Sequence, residues 1–117
     1  MQRILVIDDE TTLLRLLGGA LQAEGFEVQT AQSGPDGLVL LNEGYPDLVI
    51  LDQQMPAMSG AEVYAAARGA GYAGPVIICS AYGAQDGARR LGADAFIEKP
   101  FDPDDLIAQV KVLLERV

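Results

Sequence analysis

Five polar residues of this chain have the types and the spacing for chemistry, because each ends or directly follows a short apolar run. Asp8 and Asp9 follow "RILVI", Asp52 ends "DLVILD", Ser80 ends "PVIICS", and Lys99 follows "AFIE". A single aspartate in such a place is more often a turn former or a helix cap. The repeated placement of polar residues at the ends of apolar runs favours a shared site.

The chemistry that these residue types allow begins with a metal ion. Three carboxylates at one point repel one another, so they need a proton or a cation. One lysine does not balance three negative charges, and the chain has no histidine. Oxygen ligands with room for water and phosphate oxygens favour Mg²⁺ over Ca²⁺. Beside such an ion, Asp52 is suited to attack a phosphoryl group, whose oxygens Lys99 and Ser80 would stabilise.

The apolar runs that must position these residues predict five strands, at residues 3–7, 26–31, 47–52, 75–80 and 95–98. The first, third and fourth runs are continuously apolar, which is typical of strands buried on both faces of a parallel sheet. Parallel strands end at one edge of the sheet, where ligands bind in such folds. We therefore expect the polar residues to converge there, with the three aspartates flanking the point where the strand order reverses.

Helix signals occupy the intervals between the runs, near residues 10–24, 33–44, from 59, 84–91 and from 102. Ser59 and Glu62 have capping-box spacing, and Asp102 is a candidate N-cap for the last helix. Gly18 and Gly19 interrupt the first helix at a cost of up to about 1 kcal/mol each relative to Ala, and close packing is the only explanation that the sequence offers.

Five β-α units in a chain of this length predict an α/β fold. The expected architecture is a flavodoxin-like, doubly wound, five-stranded parallel sheet in the order 2-1-3-4-5, with five helices. No linker, repeat or low-complexity segment interrupts the pattern, so residues 1–117 are expected to form one domain. Cys79 lies inside an apolar run and is expected to be a buried core residue, not a reactive thiol.

The charge of the chain limits its partners. The net charge is -9, and most of it lies in residues 1–67, which contain ten acidic and two basic side chains. Such a charge argues against direct binding to nucleic acid or to an anionic membrane.

The sequence has no signal-peptide pattern and no apolar stretch of the roughly 18 to 20 residues that span a bilayer, so we expect a cytoplasmic location.

In combination, the motifs resemble the receiver domain of two-component response regulators, including the single-domain chemotaxis regulators. The resemblance covers essentially the whole chain and rests on "DDE" after the first strand, "D..MP.MSG" around Asp52, "SA" at residues 80–81 and "KPF" at residues 99–101. It implies a signalling switch in a phosphorelay, not an enzyme with turnover. The phosphoryl group would come from a sensor histidine kinase or a histidine phosphotransfer protein.

The resemblance also implies a role for each site residue. Asp52 is the phospho-acceptor and a metal ligand, Asp9 binds Mg²⁺ directly, and Asp8 acts mainly through water. The backbone carbonyl of Gln54 completes the protein ligands. Lys99 pairs with a phosphoryl oxygen, and its bond to the following proline is typically cis.

The switch of the family lies on the other side of the acceptor. Ser80 shifts toward the phosphoryl group, Phe96 swings inward, and the helix 4/strand 5/helix 5 face changes to control a downstream protein or a fused output domain. Gln54 and Tyr82 occupy the positions that tune the lifetime of the acyl phosphate. A bulky Tyr82 predicts slow self-dephosphorylation.

Two features depart from common members of the family. Many relatives have Tyr where this chain has Phe96. The winged-helix branch dimerises through charges that are replaced here by Ala95 and Gln109, which argues against that dimer. Other charged pairs stay open to Arg89, Arg90, Asp94 and Lys111, so a weak homodimer remains among the expected assemblies.

Three alternatives compete with this interpretation. A haloacid-dehalogenase-like phosphatase also forms an aspartyl phosphate, but it has a second acid where this chain has Gln54. It also needs a cap or a substrate pocket, and 117 residues are too few for a cap. A flavodoxin-like cofactor carrier needs phosphate donors where "DDE" would repel a phosphate. A degenerate receiver that is not phosphorylated is disfavoured because all five site positions carry suitable residues.

Overall fold

The structure, a computed structural model, describes residues 1–115. The strands are β1 (Arg3–Ile7), β2 (Glu27–Ala31), β3 (Leu48–Asp52), β4 (Val76–Ser80) and β5 (Ala95–Glu98). The helices are α1 (Thr11–Ala23), α2 (Gly34–Gly44), α3 (Gly60–Gly69), α4 (Ala84–Leu91) and α5 (Pro103–Glu115). The strands form a parallel sheet in the order β2-β1-β3-β4-β5, which confirms the predicted fold class. Residues 116 and 117 of the expected domain lie outside the described residues.

The register of the central strands brings the ends of β1 and β3 side by side. Ile7 lies opposite Leu51, and Asp52 lies opposite Cys79 of β4. Asp8 directly follows Ile7 in the chain, so it leaves the sheet next to Asp52. The reversal of strand order between β1 and β3 opens a crevice at this edge, as doubly wound sheets require.

Two apolar layers hold the sheet from both faces. One contains the inward leucines of α1 together with the apolar face of α5, and the other contains the buried faces of α2, α3 and α4. The continuous runs of β3 and β4 are buried along their whole length, as predicted. Cys79 belongs to this core, where burial raises the pKa of its thiol to about 12.

Within residues 1–115, no helix is both long enough and apolar enough to cross a membrane.

The helix ends follow the signals in the sequence. The backbone N–H of Glu62 donates to the Ser59 hydroxyl, and the Ser59 N–H donates to the Glu62 carboxylate, which completes the predicted capping box. The Asp102 carboxylate accepts from the backbone N–H of Asp104 at 2.9 Å at the start of α5. Because such caps satisfy the free N–H groups of the first turn, they fix the residue at which each of these helices begins.

The two glycines within α1 do not serve close packing. A Cβ atom built on Gly18 or Gly19 meets no heavy atom within 4 Å. The close-packing explanation is therefore wrong, because both positions have open space where a side chain would stand.

Candidate functional site

Three aspartates lie together at the carboxyl edge of the sheet. Asp8 follows β1, Asp52 ends β3, and Asp9 completes the group, with one carboxylate oxygen from each residue within 4.8 Å of the others. Asp8 and Asp52 are only 2% and 3% exposed, whereas Asp9 is open to solvent. The structure therefore brings together the acids that the sequence places at strand ends. Two of the three carboxylates are buried, and the third is exposed.

Lys99 reaches this group from the edge strand. Its Nζ lies 2.8 Å from Asp8 Oδ2, 2.9 Å from Glu10 Oε1 and 3.6 Å from Asp52 Oδ1. Burial opposes the charge of the ammonium group, but the hydrogen bonds to Asp8 and Glu10 outweigh that cost and raise the pKa of Lys99 above its usual value. The Lys99-Pro100 bond is cis, as the family resemblance implies. The lysine is thus shared among several acids.

The electrostatics of the two buried acids show how incomplete this compensation is. Burial, followed by the negative charge of Asp8, raises the pKa of Asp52 to about 7, although Lys99 and the Gln54 N–H act in the opposite direction. Burial also raises the pKa of Asp8, despite its hydrogen bond with Lys99. Both carboxyl groups would ionise more readily beside a second positive charge.

The acidic group fits a hard divalent cation. Its donors are all carboxylate oxygens, one of them solvent-exposed, and their mutual spacing allows them to face one ion. A few carboxylates with open positions for water suit Mg²⁺, which keeps part of its hydration shell in proteins. Because a cation would relieve the repulsion that raises the Asp52 pKa, the electrostatics agree with the donor set.

The loop from β3 to α3 packs tightly against the backbone of Asp52. The Gly60 N–H donates to the Gln53 carbonyl at 3.0 Å, and a Cβ atom on Gly60 would lie 2.4 Å from the Asp52 carbonyl oxygen. Ala57 adopts a left-handed conformation with φ of 67°, which is uncommon for a residue other than glycine. The "SG" of this loop therefore both caps α3 and lets the helix approach Asp52.

Ser80 lies within a network of hydrogen bonds at the end of β4. Its side chain is fully buried, and its Oγ contacts Oε1 of Gln54. The same Oγ lies 2.8 Å from the Tyr82 carbonyl oxygen and accepts from the Tyr82 N–H at 3.3 Å. Gln54 Nε2 donates to that carbonyl at 3.2 Å. The ring of Tyr82 is 79% exposed, so this residue serves the network through its backbone.

Phe96 lies apart from the acidic group, on the outer side of β5. Its side chain is 38% exposed and lines a groove of about 520 Å³ between α4, β5 and α5. Ala95 and Gln109 line the same groove and bring no charge to it. Arg89 and Asp94 are its charged lining residues.

The sequence interpretation missed two functional contacts. The sequence shows Glu10 only as the third acid of the "DDE" motif, whereas the structure places its carboxylate against Lys99. The sequence indicates Gly60 only as part of a helix cap, whereas the structure places it against the carbonyl of Asp52. For Glu10 the available signal is its place as the third acid of the motif, and for Gly60 it is a glycine at the first position of a helix. Neither signal identifies the residue that Glu10 or Gly60 contacts.

Comparisons with known proteins agree with this geometry. The model of the response regulator receiver domain matches residues 4–111. The chain is 38% identical over 122 residues to the transcriptional regulatory protein PcoR of Escherichia coli, covering 99% of this chain and 53% of that protein. It is 40% identical over 120 residues to a CpxR homolog of Haemophilus influenzae, covering 99% of this chain and 52% of that protein. The chain therefore spans about half the length of the curated relatives that it matches.

A solved structure extends the agreement to the whole fold. The CheY-like receiver domain protein of Methanospirillum hungatei superimposes with a TM-score of 0.92 at 30% identity, covering 99% of this chain and 95% of that one. Shared sequence and shared fold thus coincide over nearly all of the chain. This chain belongs to the family of response regulator receiver domains.

Proposed function

We propose that this protein is a phospho-accepting switch of a two-component system, in which residues 1–117 form one receiver domain. The observation that carries the proposal is the placement of Asp52, a buried carboxylate at the end of a central strand between two further acids and Lys99. A carboxylate oxygen of Asp52 attacks phosphorus, the P–O bond of an acyl phosphate forms, and the P–N bond of a donor phosphohistidine breaks. The leaving imidazole keeps the electron pair of that bond.

The carboxylates of Asp8, Asp9 and Asp52, with the backbone carbonyl of Gln54, would hold Mg²⁺ at this edge. When bound, the ion supplies positive charge that offsets both the carboxylates and the phosphoryl oxygens. Lys99 pairs with a phosphoryl oxygen, for which it exchanges part of its present contact with Glu10 and Asp8. Its proximity to Asp52, at 3.6 Å, supports that role.

The response to phosphorylation involves Ser80 and Phe96. Ser80 turns toward the phosphoryl group, Phe96 leaves its half-exposed position, and the face formed by α4, β5 and α5 changes for a downstream protein or a fused output domain. The exposure of Phe96 in an open groove supports this motion, since the ring has an outward position to leave. The relatives named as transcriptional regulators are about twice as long as this chain, which supports an output segment.

The donor is a sensor histidine kinase or a histidine phosphotransfer protein. This protein contributes only uptake and loss of the phosphoryl group and turns over no further substrate. Gln54 and Tyr82 tune the lifetime of the acyl phosphate. Tyr82 lies two residues after Ser80 and contacts the Ser80 hydroxyl through its backbone N–H, which supports a location of its bulky side chain near the site.

Intact mass after incubation with a small-molecule phosphodonor and Mg²⁺ tests the acceptor. We expect one phosphoryl group on the wild type, none on Asp52→Asn, and one on Asp36→Asn, which changes an exposed aspartate at the start of α2. Equal labelling of Asp52→Asn would end the assignment. Catalytic turnover of a generic phosphate ester would instead favour a phosphatase, and an unlabelled wild type would favour a degenerate receiver.

The rate of label loss tests the lifetime positions. We expect Tyr82→Ala to lose its phosphoryl group faster than the wild type, because the exposed ring no longer restricts water. A variant that loses its label no faster would remove Tyr82 from this role.

A further inference from the structure

Gln54 contacts both the acceptor residue and the buried serine. Its backbone N–H lies 3.4 Å from Asp52 Oδ1, while its side chain crosses to the end of β4. There the amide contacts the Ser80 hydroxyl and the Tyr82 carbonyl. One residue therefore connects the loop after β3 with the loop after β4.

The hydrogen-bond partners fix the orientation of the Gln54 amide. The Tyr82 carbonyl only accepts hydrogen bonds, so the amide must present its Nε2 group to that oxygen, at 3.2 Å. The opposite end of the amide, Oε1, then faces the Ser80 hydroxyl, where it acts only as an acceptor. The reversed orientation would set two oxygen acceptors against each other at Tyr82.

The hydroxyl of Ser80 has a single hydrogen to donate. Within residues 1–115, the two acceptors that it contacts, Gln54 Oε1 and the Tyr82 carbonyl, belong to this network. The Tyr82 carbonyl already receives the Gln54 amide, whereas Oε1 has Ser80 as its hydrogen-bond partner in the described structure. Ser80 therefore has no free hydrogen for a phosphoryl oxygen until it leaves the network.

We propose that Gln54 is a positioning residue whose side-chain amide holds Ser80 in the unphosphorylated arrangement. This inference rests on the proposed function, in which Ser80 turns toward a phosphoryl group on Asp52. It differs from tuning of the acyl-phosphate lifetime, because the amide acts on the equilibrium between two positions of Ser80 and not on attacking water. Phosphorylation must break the Ser80 contact with Gln54 before the serine can bind the phosphoryl group.

Removal of the amide should therefore favour the phosphorylated arrangement. A neutral hydrogen bond of this kind contributes a net amount that corresponds to about a two- to tenfold change in an equilibrium constant. Gln54→Met keeps the length of the side chain, and it keeps the backbone carbonyl and N–H, while it removes both polar atoms of the amide. Gln54 is exposed, so the substitution leaves the core intact.

Beryllium fluoride, a stable mimic of an acyl phosphate, separates the equilibrium from hydrolysis. We would measure its apparent Kd at saturating Mg²⁺ by NMR titration of wild type, Gln54→Met, Ser80→Ala and the double variant, with Asp52→Asn as the non-binding control. We expect Gln54→Met to bind the probe about two- to tenfold more tightly than wild type. In the Ser80→Ala background the same substitution should change nothing, because no hydroxyl remains to be held.

Each outcome decides the inference. An equal gain in both backgrounds, or no gain in either, overturns it while the proposed function stands, since the wild type still binds the probe. A wild type that fails to bind removes the proposed function and the inference with it. If Ser80→Ala does not fold, Ser80→Cys replaces it in the cycle, because a thiol is only a weak hydrogen-bond donor. A gain from Gln54→Met that shrinks in this background supports the contact, and a full gain contradicts it.

Discussion

The carboxyl group of Asp52 lies in surroundings that oppose its ionisation. Burial and the charge of Asp8 raise its pKa to about 7, and Lys99 lies closer to Asp8 and Glu10 than to Asp52. The positive charge nearest to Asp52 is thus already engaged. A residue in this condition gains most from a cation or from a change that removes its charge.

Replacing Asp52 by asparagine should stabilise the protein without divalent ions. A raised pKa means that the folded state prefers the protonated acid, so stability is lost as pH rises from about 4 to about 7. Above that window we expect Asp52→Asn to exceed wild type by about 1 to 3 kcal/mol in unfolding free energy. Urea unfolding with a chelator at about pH 8 and about pH 4 measures this, and the difference should vanish at the lower pH. Equal stability at the higher pH would show that Asp52 is not desolvated.

Loss of the Lys99 ammonium should have the opposite effect. Lys99→Met removes the cation that contacts two buried carboxylates, and breaking such a pair costs about 3 kcal/mol. We expect that loss of unfolding free energy at about pH 8 and a smaller one at about pH 5, where the Asp52 carboxyl takes up a proton. The control is Lys111→Met, which breaks the exposed pair with Glu24 and should cost less than about 1 kcal/mol. Equal costs for the two variants would contradict the central role of Lys99.

At the scale of elements, α3 is held against the end of β3 by Gly60, a residue without a side chain. Gly60 begins the helix directly over the Asp52 carbonyl, and its N–H closes the loop onto Gln53. A side chain on Gly60 would clash with the backbone of Asp52 and Gln53. Backbone atoms cannot move aside as the flexible tip of a long side chain can. The approach of α3 therefore sets the position of Asp52.

Gly60→Ala should destabilise the fold and slow labelling of Asp52. The added methyl group would lie 2.4 Å from the Asp52 carbonyl oxygen, so we expect a loss of about 1 to 3 kcal/mol. Gly19→Ala is the matched control, because the same methyl group meets nothing within 4 Å on α1 and should stabilise the helix by about 0.5 to 1 kcal/mol. Thermal unfolding of both variants, with intact mass after phosphodonor treatment, checks the pair. A neutral Gly60→Ala would mean that α3 is free to move away.

At the scale of the whole molecule, the charge of -9 is uneven, and the acidic part carries the candidate metal group. Repulsion among like charges weakens a compact state, and a bound cation reduces it locally. The groove between α4, β5 and α5 lies on another side of the molecule, where Phe96 is half exposed. Strands β4 and β5 lie between the two regions, because they end at Ser80 and directly before Lys99.

Mg²⁺ should raise the thermal stability of the protein well beyond the effect of salt. A ligand that binds only the folded state at about 100 times its Kd adds about 2.7 kcal/mol. We expect the Tm of the wild type to rise on addition of Mg²⁺ and to return to its starting value on chelation. The Tm of Asp9→Asn should change little on addition of Mg²⁺, because this variant lacks the exposed carboxylate of the acidic group. Sodium chloride at matched ionic strength is the control. A similar rise with sodium would indicate general screening and no specific site.

The sequence alone determined the order and type of the elements, the sheet topology, and the edge where Asp8, Asp52 and Lys99 meet. These features follow from short-range signals, namely apolar runs, caps and the alternation of β and α units, and from the rule that parallel strands end at one edge. The same signals identified Ser59 and Asp102 as helix caps, which the structure confirms.

Only the tertiary structure decided which side chains contact one another at that edge. It buries Asp8 and exposes Asp9, engages Lys99 with Glu10, and sets Gln54 against Ser80. Such contacts join residues that are far apart in the chain, so they depend on the distances between packed elements and on side-chain rotamers. A pattern along the sequence contains neither quantity, which is why the location of the site was predictable and its network of hydrogen bonds was not.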